Sequence, residues 1–448
     1  MSAAGLPTDP DRNGDRALID PLTRHNLTAE SFFSVFNGVY MGLALFAAPI
    51  VAVTGVEASA AELTILVSAF PVGAFLGPLW AGLGRRWGMQ KLVTQMAIWA
   101  NLPLFFLFWV EDAALFTALI TLSQLLNSAM RMGQSSLYRV MYPRELRGRV
   151  LGQLTFWTYA TMVPTVMLTG WLLDRSRAVY HVLYPLAGLC GLIGCFYYRQ
   201  LRVPGRELLP RDRPGLRHSV RRVEHIIAQD RTYLLFQFAF FLSGSSFFLS
   251  THVILLLIRD SDYFHFSAFE LSLWLSAVPQ LLLALGSPAW GRVLDAIGIV
   301  RCRLLISVLM SCYLASYFGA IVTGLPALVW LGSILQGASN GGGQLTWALA
   351  SSHFAPRAED VPFYNGIHFV LNGIRGLVMP SVGSVLFILT GPGAVLAATL
   401  VSLGSIPVIL RSLRLGDGPP PEPAVASSPA ASYDGDASRS RLGHPRER

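Results

Sequence analysis

Two arginines interrupt long apolar stretches of the chain, and they are its clearest candidates for chemistry. Arg375 stands about thirteen residues inside its apolar run, which at about 1.5 Å per residue places it near mid-membrane if the run is a spanning helix. A charge at that depth is costly and should face a water-filled cavity or a partner. Arg131 is nearer the end of its run and could extend to the membrane surface. Because a guanidinium binds carboxylate and phosphate groups through paired hydrogen bonds, both arginines are candidates for holding an anionic or zwitterionic solute.

Each arginine belongs to a stripe of polar residues. The stripes are Asn365, His368, Asn372 and Arg375, and Gln124, Asn127, Arg131 and Gln134, both with spacings of 3, 4 and 3 residues. Residues three and four apart share one helix face. Since the ordinary pKa of histidine lies near physiological pH, His368 is the candidate for proton coupling. Coupling to a proton or to a counter-ion is left open.

The same residues have structural alternatives. Arg375 could join two helices through an ion pair or through backbone carbonyls, and Arg131 could close a gate. His368 could be a packing histidine, and the amides of the stripes could hydrogen-bond between helices beside small residues. No Asp or Glu is predicted deep in an apolar run, because Glu30, Glu270 and Asp174 lie near ends, where capping, dipole or interface roles explain them.

The composition predicts the elements that hold these side chains. Hydrophobic residues make up 53% of the chain and charged residues 13%, about half the charge of a soluble domain. Mean hydropathy is +0.49. A membrane span needs about 20 apolar residues and must be helical in a chain of this kind. We therefore predict an all-α polytopic membrane protein with twelve spans, at roughly 30–53, 60–83, 92–110, 113–138, 149–173, 178–198, 232–258, 268–291, 303–323, 326–352, 362–388 and 391–410.

The basic residues predict the orientation of these spans. With a cytoplasmic N-terminus, 29 of the 34 basic residues fall on the inner side, including Arg303, and only Arg175, Arg177 and Arg259 fall outside. Both termini are therefore expected inside the plasma membrane. The expected segments are a tail (1–29), a six-helix half (30–198), an arginine-rich linker (199–231), a second half (232–411) and a disordered tail (412–448). Within the linker, residues 218–231 are predicted to form an interfacial amphipathic helix.

An internal repeat supports the division into halves. The segment GPLWAGLGRRWGMQK (77–91) is echoed by GSPAWGRVLDAIGIVR (286–301), an offset of about 210 residues. Five further landmarks recur at nearly the same offset: Gln124, Asn127, Pro143, Arg144 and Gly152 correspond to Gln336, Asn340, Pro356, Arg357 and Gly366. Two parallel halves around an axis along the membrane normal are a transporter architecture, with the substrate bound at their interface.

These motifs resemble those of the major facilitator superfamily over roughly residues 28–411. The segments AGLGRRWGMQ (81–90) and GRVLDAIGIV (291–300) are similar to the family's loop between the second and third helices of each half. PRELRGRVLG (143–152), ILQGASNGGG (334–343) and RGLVMPSVGS (375–384) resemble three further family segments. Arg85 stands where the family places an aspartate.

The resemblance implies a secondary transporter that moves a small solute by alternating access. Its path is lined by the first, fourth, seventh and tenth spans, and this adds Asn37, Gln237, Gln336 and Asn340 to the substrate-cavity candidates His368, Asn372, Arg375, Gln124, Asn127 and Arg131. Inner-face gating is expected at Arg85, Arg86, Gly88, Gly291, Asp295 and Gly298.

Other functions are less consistent with the sequence. The four cysteines lack metal-ligand spacing and are expected to be structural. We expect no cofactor, no metal, no nucleic-acid partner and no signal peptide, and a monomer in contact with lipid. The chain contains no phosphate-binding loop of the kind that drives transport with ATP. Two alternatives stay open: a non-transporting sensor or assembly protein on a carrier scaffold, and a membrane-embedded lipid-handling enzyme.

Overall fold

The computed structural model describes residues 20–142, 144–203, 216–259, 264–357 and 360–415, and the regular structure in these ranges is helical. Most of both predicted tails, Pro143 and residues 204–215 of the predicted linker lie outside the described residues.

Within the described residues, seven α-helices precede the linker. They are α1 (Pro21–Thr54), α2 (Ala60–Phe75), α3 (Gly77–Trp87), α4 (Met89–Phe106), α5 (Ala113–Met141), α6 (Arg144–Leu173) and α7 (Tyr180–Tyr198). A π-helical stretch, Gly42–Ala47, interrupts α1. The second predicted span is divided between α2 and α3, with the break at Leu76 just before Gly77 and Pro78.

Seven α-helices follow residue 215 in the part of the chain that the structure describes. They are α8 (Leu216–Gln229), α9 (Arg231–Arg259), α10 (Ala268–Ile297), α11 (Ile299–Thr323), α12 (Pro326–Phe354), α13 (Val361–Thr390) and α14 (Gly393–Leu415). The helix predicted over 218–231 is present as α8. Within the described residues, nine helices are long and apolar enough to cross a membrane, and Ala60–Phe75 is a shorter apolar helix.

Equivalent helices on the two sides of the linker begin with the same type of cap and end at the same type of glycine turn. Ser59 and Glu62 form a capping box at the start of α2, and Ser267 and Glu270 form another at the start of α10. Gly88 between α3 and α4 has φ 88°, and Gly298 between α10 and α11 has φ 77°. Only glycine adopts this backbone conformation without strain, which explains why both copies of the loop motif carry it.

Glycines also let neighbouring helices approach closely. A Cβ on Gly337 of α12 would lie 2.8 Å from the backbone oxygen of Pro279 in α10, and one on Gly342 would lie 2.8 Å from the Trp290 ring. Gly73 of α2 meets Ser128 of α5 in the same manner. Small residues at crossings are how membrane helices gain packing energy without a hydrophobic driving force.

The helices before and after the linker meet through polar contacts near one end of the bundle. Asp174, just after α6, accepts hydrogen bonds from the backbone amides of Ala268 (2.6 Å) and Phe269 (3.0 Å) at the start of α10. Ser384 of α13 hydrogen-bonds to Thr64 of α2 and to His252 of α9. This end carries the loops that the charge distribution predicts to be outside.

Candidate functional site

Arg375 is the centre of a buried polar cluster between α13 and α9. Its side chain is 6% exposed. Nη1 donates to the backbone oxygen of Phe240 at 2.7 Å, while Nε and Nη2 donate to Asn372 Oδ1 at 3.1 and 2.6 Å. Asn372 lies one turn earlier on the same face of α13, so the predicted stripe supplies its own acceptor for the cation. The second acceptor is a backbone carbonyl of α9.

Gly244 provides the space in α9 that the guanidinium fills. A Cβ at this position would lie 1.9 Å from Arg375 Nη1 and 2.2 Å from its Cζ. Any side chain there would have to displace the guanidinium, because contacts under 3 Å between non-bonded heavy atoms of this kind do not persist. The position of Arg375 therefore depends on a glycine that sequence reasoning did not single out.

Arg303 is the residue that the sequence analysis placed wrongly. It was expected at the inner membrane boundary, but the structure places it in α11 with 3% of its surface exposed. Its Nη2 donates to Ser243 Oγ, and its Cζ lies 3.9 Å from the centre of the Phe240 ring. α11 packs against α9 here, so a basic residue only one turn into the helix points into the bundle and not toward the surface.

Two cations therefore share one aromatic ring. The Cζ of Arg375 lies 4.9 Å from the Phe240 ring centre, so the two guanidinium carbons can be no farther apart than 8.8 Å, the sum of this distance and the 3.9 Å of Arg303. At an effective dielectric constant of about 20 their repulsion is at least about 2 kcal/mol. Cation–π contact offsets part of this cost. Among the described residues neither arginine forms an ion pair with a carboxylate.

His368 and Gln237 complete the cluster on the side of α13 and α9. His368 Nδ1 donates to Gln237 Oε1 at 3.1 Å, and the imidazole meets the Phe240 ring edge-on at 5.0 Å. Both residues are 2% exposed. Within the described residues, His368 Nε2, Gln237 Nε2 and Arg303 Nε are buried without a hydrogen-bond partner. Buried polar atoms normally have partners, so this group of three needs an explanation.

The stripe on α5 faces α1, as the stripe on α13 faces α9. Gln124 Nε2 donates to the backbone oxygen of Ala44 at 2.8 Å, within the π-helical stretch of α1. Arg131 Nη2 donates to the sulfur of Met41, also in α1. Asn127 and Asn37 line one small internal cavity among α1, α4, α5 and α7. The fourth member of the stripe, Gln134, reaches the start of α1.

Gln134 contacts Glu30, which is a buried residue of α1 and does not cap the helix. Because α1 begins at Pro21 and not near residue 30, Glu30 lies in its third turn and is 0% exposed. Its carboxylate accepts hydrogen bonds from Gln134 Nε2 (3.1 Å) and Tyr142 OH (2.7 Å). Glu30 is therefore a buried acid of the N-terminal bundle and not a helix cap. Glu270 and Asp174, in contrast, accept hydrogen bonds from amides at the start of α10.

The remaining cavity candidates lie apart from both clusters. Gln336 Oε1 in α12 accepts from Tyr317 OH of α11 at 2.9 Å, which is an interhelical contact. Asn340, one turn later on α12, is partly exposed. The ten cavity candidates thus divide into a group on α9 and α13, a group on α1 and α5, and a pair on α12.

The predicted gating residues lie at the two equivalent loops. Gly88 and Gly298 supply the turns described above, and Gly291 has open space where a Cβ would stand. Arg86 and Asp295 are exposed, and neither forms an ion pair within the described residues. Arg85 lies in α3, but its side chain is not among those described.

The sequence matches a known protein family over its C-terminal half. Residues 238–441 match the family model described as Major Facilitator Superfamily. A search of curated proteins finds no match to the sequence.

Solved structures match over most of the chain. A mutant of the nucleoside transporter NupG is 12% identical, with a TM-score of 0.67 over 86% of this chain and 99% of that one. A POT family transporter in complex with 5-aminolevulinic acid is 10% identical, with a TM-score of 0.65 over 87% and 95%. A bacterial homolog of the human lysosomal transporter Spinster, inward-facing and unoccupied, is 12% identical, with a TM-score of 0.61 over 90% and 100%. At these identities the likeness establishes a shared fold.

Proposed function

We propose that this chain, a membrane transporter of the major facilitator superfamily, moves a small anionic or zwitterionic solute by alternating access between two six-helix halves. The observation that carries the proposal is the cluster on α9 and α13, where Arg375 is buried with no carboxylate partner in the described residues. A solute carboxylate or phosphate would supply the missing negative charge.

The twelve-span arrangement is part of this proposal. A long helix or helix pair occurs at each of the twelve predicted positions, and matching caps and loop glycines recur on both sides of the linker. The arginine distribution favours cytoplasmic termini in the plasma membrane. A fluorescent protein fused to the C-terminus should then fluoresce in cells, and a periplasmic or extracellular reporter at the same place should stay inactive.

The position of the contacts between halves suggests which state is present. Asp174, Thr64, Ser384 and the start of α10 meet at the predicted outer end. At the predicted inner end, the exposed Arg86 and Asp295 form no ion pair within the described residues. We propose an inward-facing conformation in which rocking breaks the outer contacts and brings the inner loops together.

Transport in proteoliposomes tests the function. A thermal-shift screen of the purified full chain against classes of metabolites should identify solutes, because a ligand that binds the native state stabilises it. The best solute should accumulate in proteoliposomes, and Arg375→Ala should reduce uptake at least tenfold. Arg292→Ala, at an exposed position on α10, should transport like the wild type. Binding without uptake of any solute would favour a sensor over a carrier.

A further inference from the structure

We infer that Arg303 and Arg375 together form a buried oxyanion site inside the C-terminal helices, which takes the carboxylate or phosphate group of the transported solute. The inference rests on the proposed function, and it adds Arg303, a residue that the position of the charges in the sequence assigns to the membrane boundary. It also fixes where the anionic group sits: beside Phe240, between α9, α11 and α13.

The charge of the cluster favours an anion. Arg303, Arg375 and His368 all contact Phe240, at 3.9, 4.9 and 5.0 Å from its ring centre. Neither arginine has an acidic partner in the described part of the chain, and the two ion pairs recorded there, Arg177–Glu57 and Arg222–Asp360, involve other residues. Two uncompensated buried cations repel each other, and an anion between them would convert this repulsion into attraction.

The unpartnered atoms favour the same ligand. Arg303 Nε and Gln237 Nε2 are both hydrogen-bond donors, and both are buried without an acceptor in the described residues. His368 Nδ1 donates to Gln237 Oε1, which identifies the oxygen and the nitrogen of the Gln237 amide. A cation or a neutral hydrophobic group would leave these donors unsatisfied, whereas an oxyanion offers acceptors to all of them.

The geometry of the donors favours an oxyanion over a halide. A guanidinium presents its N–H groups in a planar fork that matches two oxygens of a carboxylate or phosphate. Arg303 uses Nη2 on Ser243 and keeps Nε free, while Arg375 is oriented by Asn372 and the Phe240 carbonyl. The two forks are thus held by their own neighbours before a ligand arrives, which lowers the entropic cost of binding.

Binding to the purified full chain tests the site independently of transport. Unfolding temperature is measured during titration with sodium phosphate, sodium acetate or sodium chloride in detergent. We expect a saturable rise with phosphate or acetate, at lower concentration than with chloride. Arg303→Gln and Arg375→Gln should abolish it, and Arg292→Gln should retain it. No saturable rise, an equal rise with chloride, or an unchanged rise in Arg303→Gln would each overturn the oxyanion site.

A second variant keeps the test decisive if the arginine variants do not fold. Gln237→Glu adds a carboxylate to the same buried cluster, beside His368, and keeps both arginines. It should raise the unfolding temperature in the absence of added anion and remove the response to phosphate and acetate. A normal response to both anions in Gln237→Glu would contradict the inference.

Uptake measurements distinguish free phosphate from an anionic group on a larger solute. They also test the anion site separately from the transporter proposal. Labelled phosphate that enters proteoliposomes is itself the solute, whereas phosphate that stabilises without entering marks a site for an anionic group on a larger solute; both results support the site. Saturable anion binding without uptake of any solute would leave the site standing and count against the transporter proposal. Uptake of a solute at wild-type rate by Arg303→Gln would overturn the site and leave the transporter proposal intact.

Discussion

Gly244 determines whether Arg375 can reach α9. Since a Cβ would lie 1.9 Å from Arg375 Nη1, Gly244→Ala should push the guanidinium off the Phe240 carbonyl and reduce solute binding at least tenfold. Gly404→Ala is the matched control, because nothing lies within 4 Å of a Cβ at that exposed position of α14. Binding is measured by thermal-shift titration with the solute. Equal affinity in the two variants would show that Arg375 does not contribute through this position.

Glu30 is a residue whose role is stability of the N-terminal helices. Glu30→Ala removes the acceptor of the bonds from Gln134 and Tyr142, and a buried donor left without its partner costs about 1–3 kcal/mol. The unfolding temperature in detergent should fall clearly. Glu57→Ala, which breaks an exposed ion pair with Arg177, should change it little. Equal effects of the two substitutions would contradict the buried role of Glu30.

The sequence predicted the burial of Arg375 but not that of Arg303 or Glu30, and the reason is physical. A charge in the middle of an apolar run must be buried, whatever the packing. A charge within two turns of a predicted helix end can extend to the surface or turn inward, and only the neighbouring helix decides. Arg303 turns inward because α9 offers Ser243 and Phe240. The burial of Glu30 was missed because the polar residues 21–29 concealed the true start of α1.

At the scale of elements, α8 is attached to the start of α13 by one ion pair. Arg222 Nη2 and Nε donate to Asp360 Oδ1 at 2.6 and 2.9 Å, and Asp360 is buried. Asp360→Asn should loosen α8, so amide hydrogen exchange across Leu216–Gln229 should accelerate. Glu224→Gln on the exposed face of α8 should leave exchange unchanged. Unchanged protection in Asp360→Asn would mean that apolar contacts alone hold α8.

The loop between α10 and α11 should govern turnover. Asp295 is exposed and forms no ion pair within the described residues. In the proposed cycle it forms an ion pair only when the inner side closes. Asp295→Asn should lower the maximal uptake rate several-fold with little change in the solute concentration for half-maximal uptake. Glu224→Gln again provides the control. A change confined to affinity would contradict the gating role.

The elements themselves were largely predictable. Apolar runs located helices at every predicted span, and the glycines of the repeated loop marked both turns, because only glycine accepts the observed positive φ values. The division of the second span into α2 and α3 was not predicted, and helices such as α1 extend well beyond their apolar cores. Periodicity locates a helix face, but it does not reveal which neighbour that face meets. The contacts of the α5 stripe with α1 could therefore be identified only in the structure.

At the scale of the whole molecule, each of the two sets of helices packs a polar stripe against its first long helix. The α5 stripe meets α1, and the α13 stripe meets α9, so each set places its arginine against the first long helix of its own set. The internal sequence repeat predicted equivalent loops. It did not predict these stripe contacts, because the two stripes lie on non-equivalent helices. The polar contacts between the sets gather at the predicted outer end, and the proposed alternating access requires this outer joint to open.

A reversible cross-link across that joint tests alternating access most directly. In a chain whose four cysteines are replaced by serine, Thr64→Cys with Ser384→Cys joins α2 to α13 at a hydrogen-bonded pair. Ser311→Cys with Ser402→Cys is the control, since these hydroxyls are 2.9 Å apart on α11 and α14 of the same set. Oxidation should stop uptake only in the first variant, and reduction should restore it. Uptake that continues with the first pair cross-linked, or stops equally in both variants, would contradict alternating access through this joint.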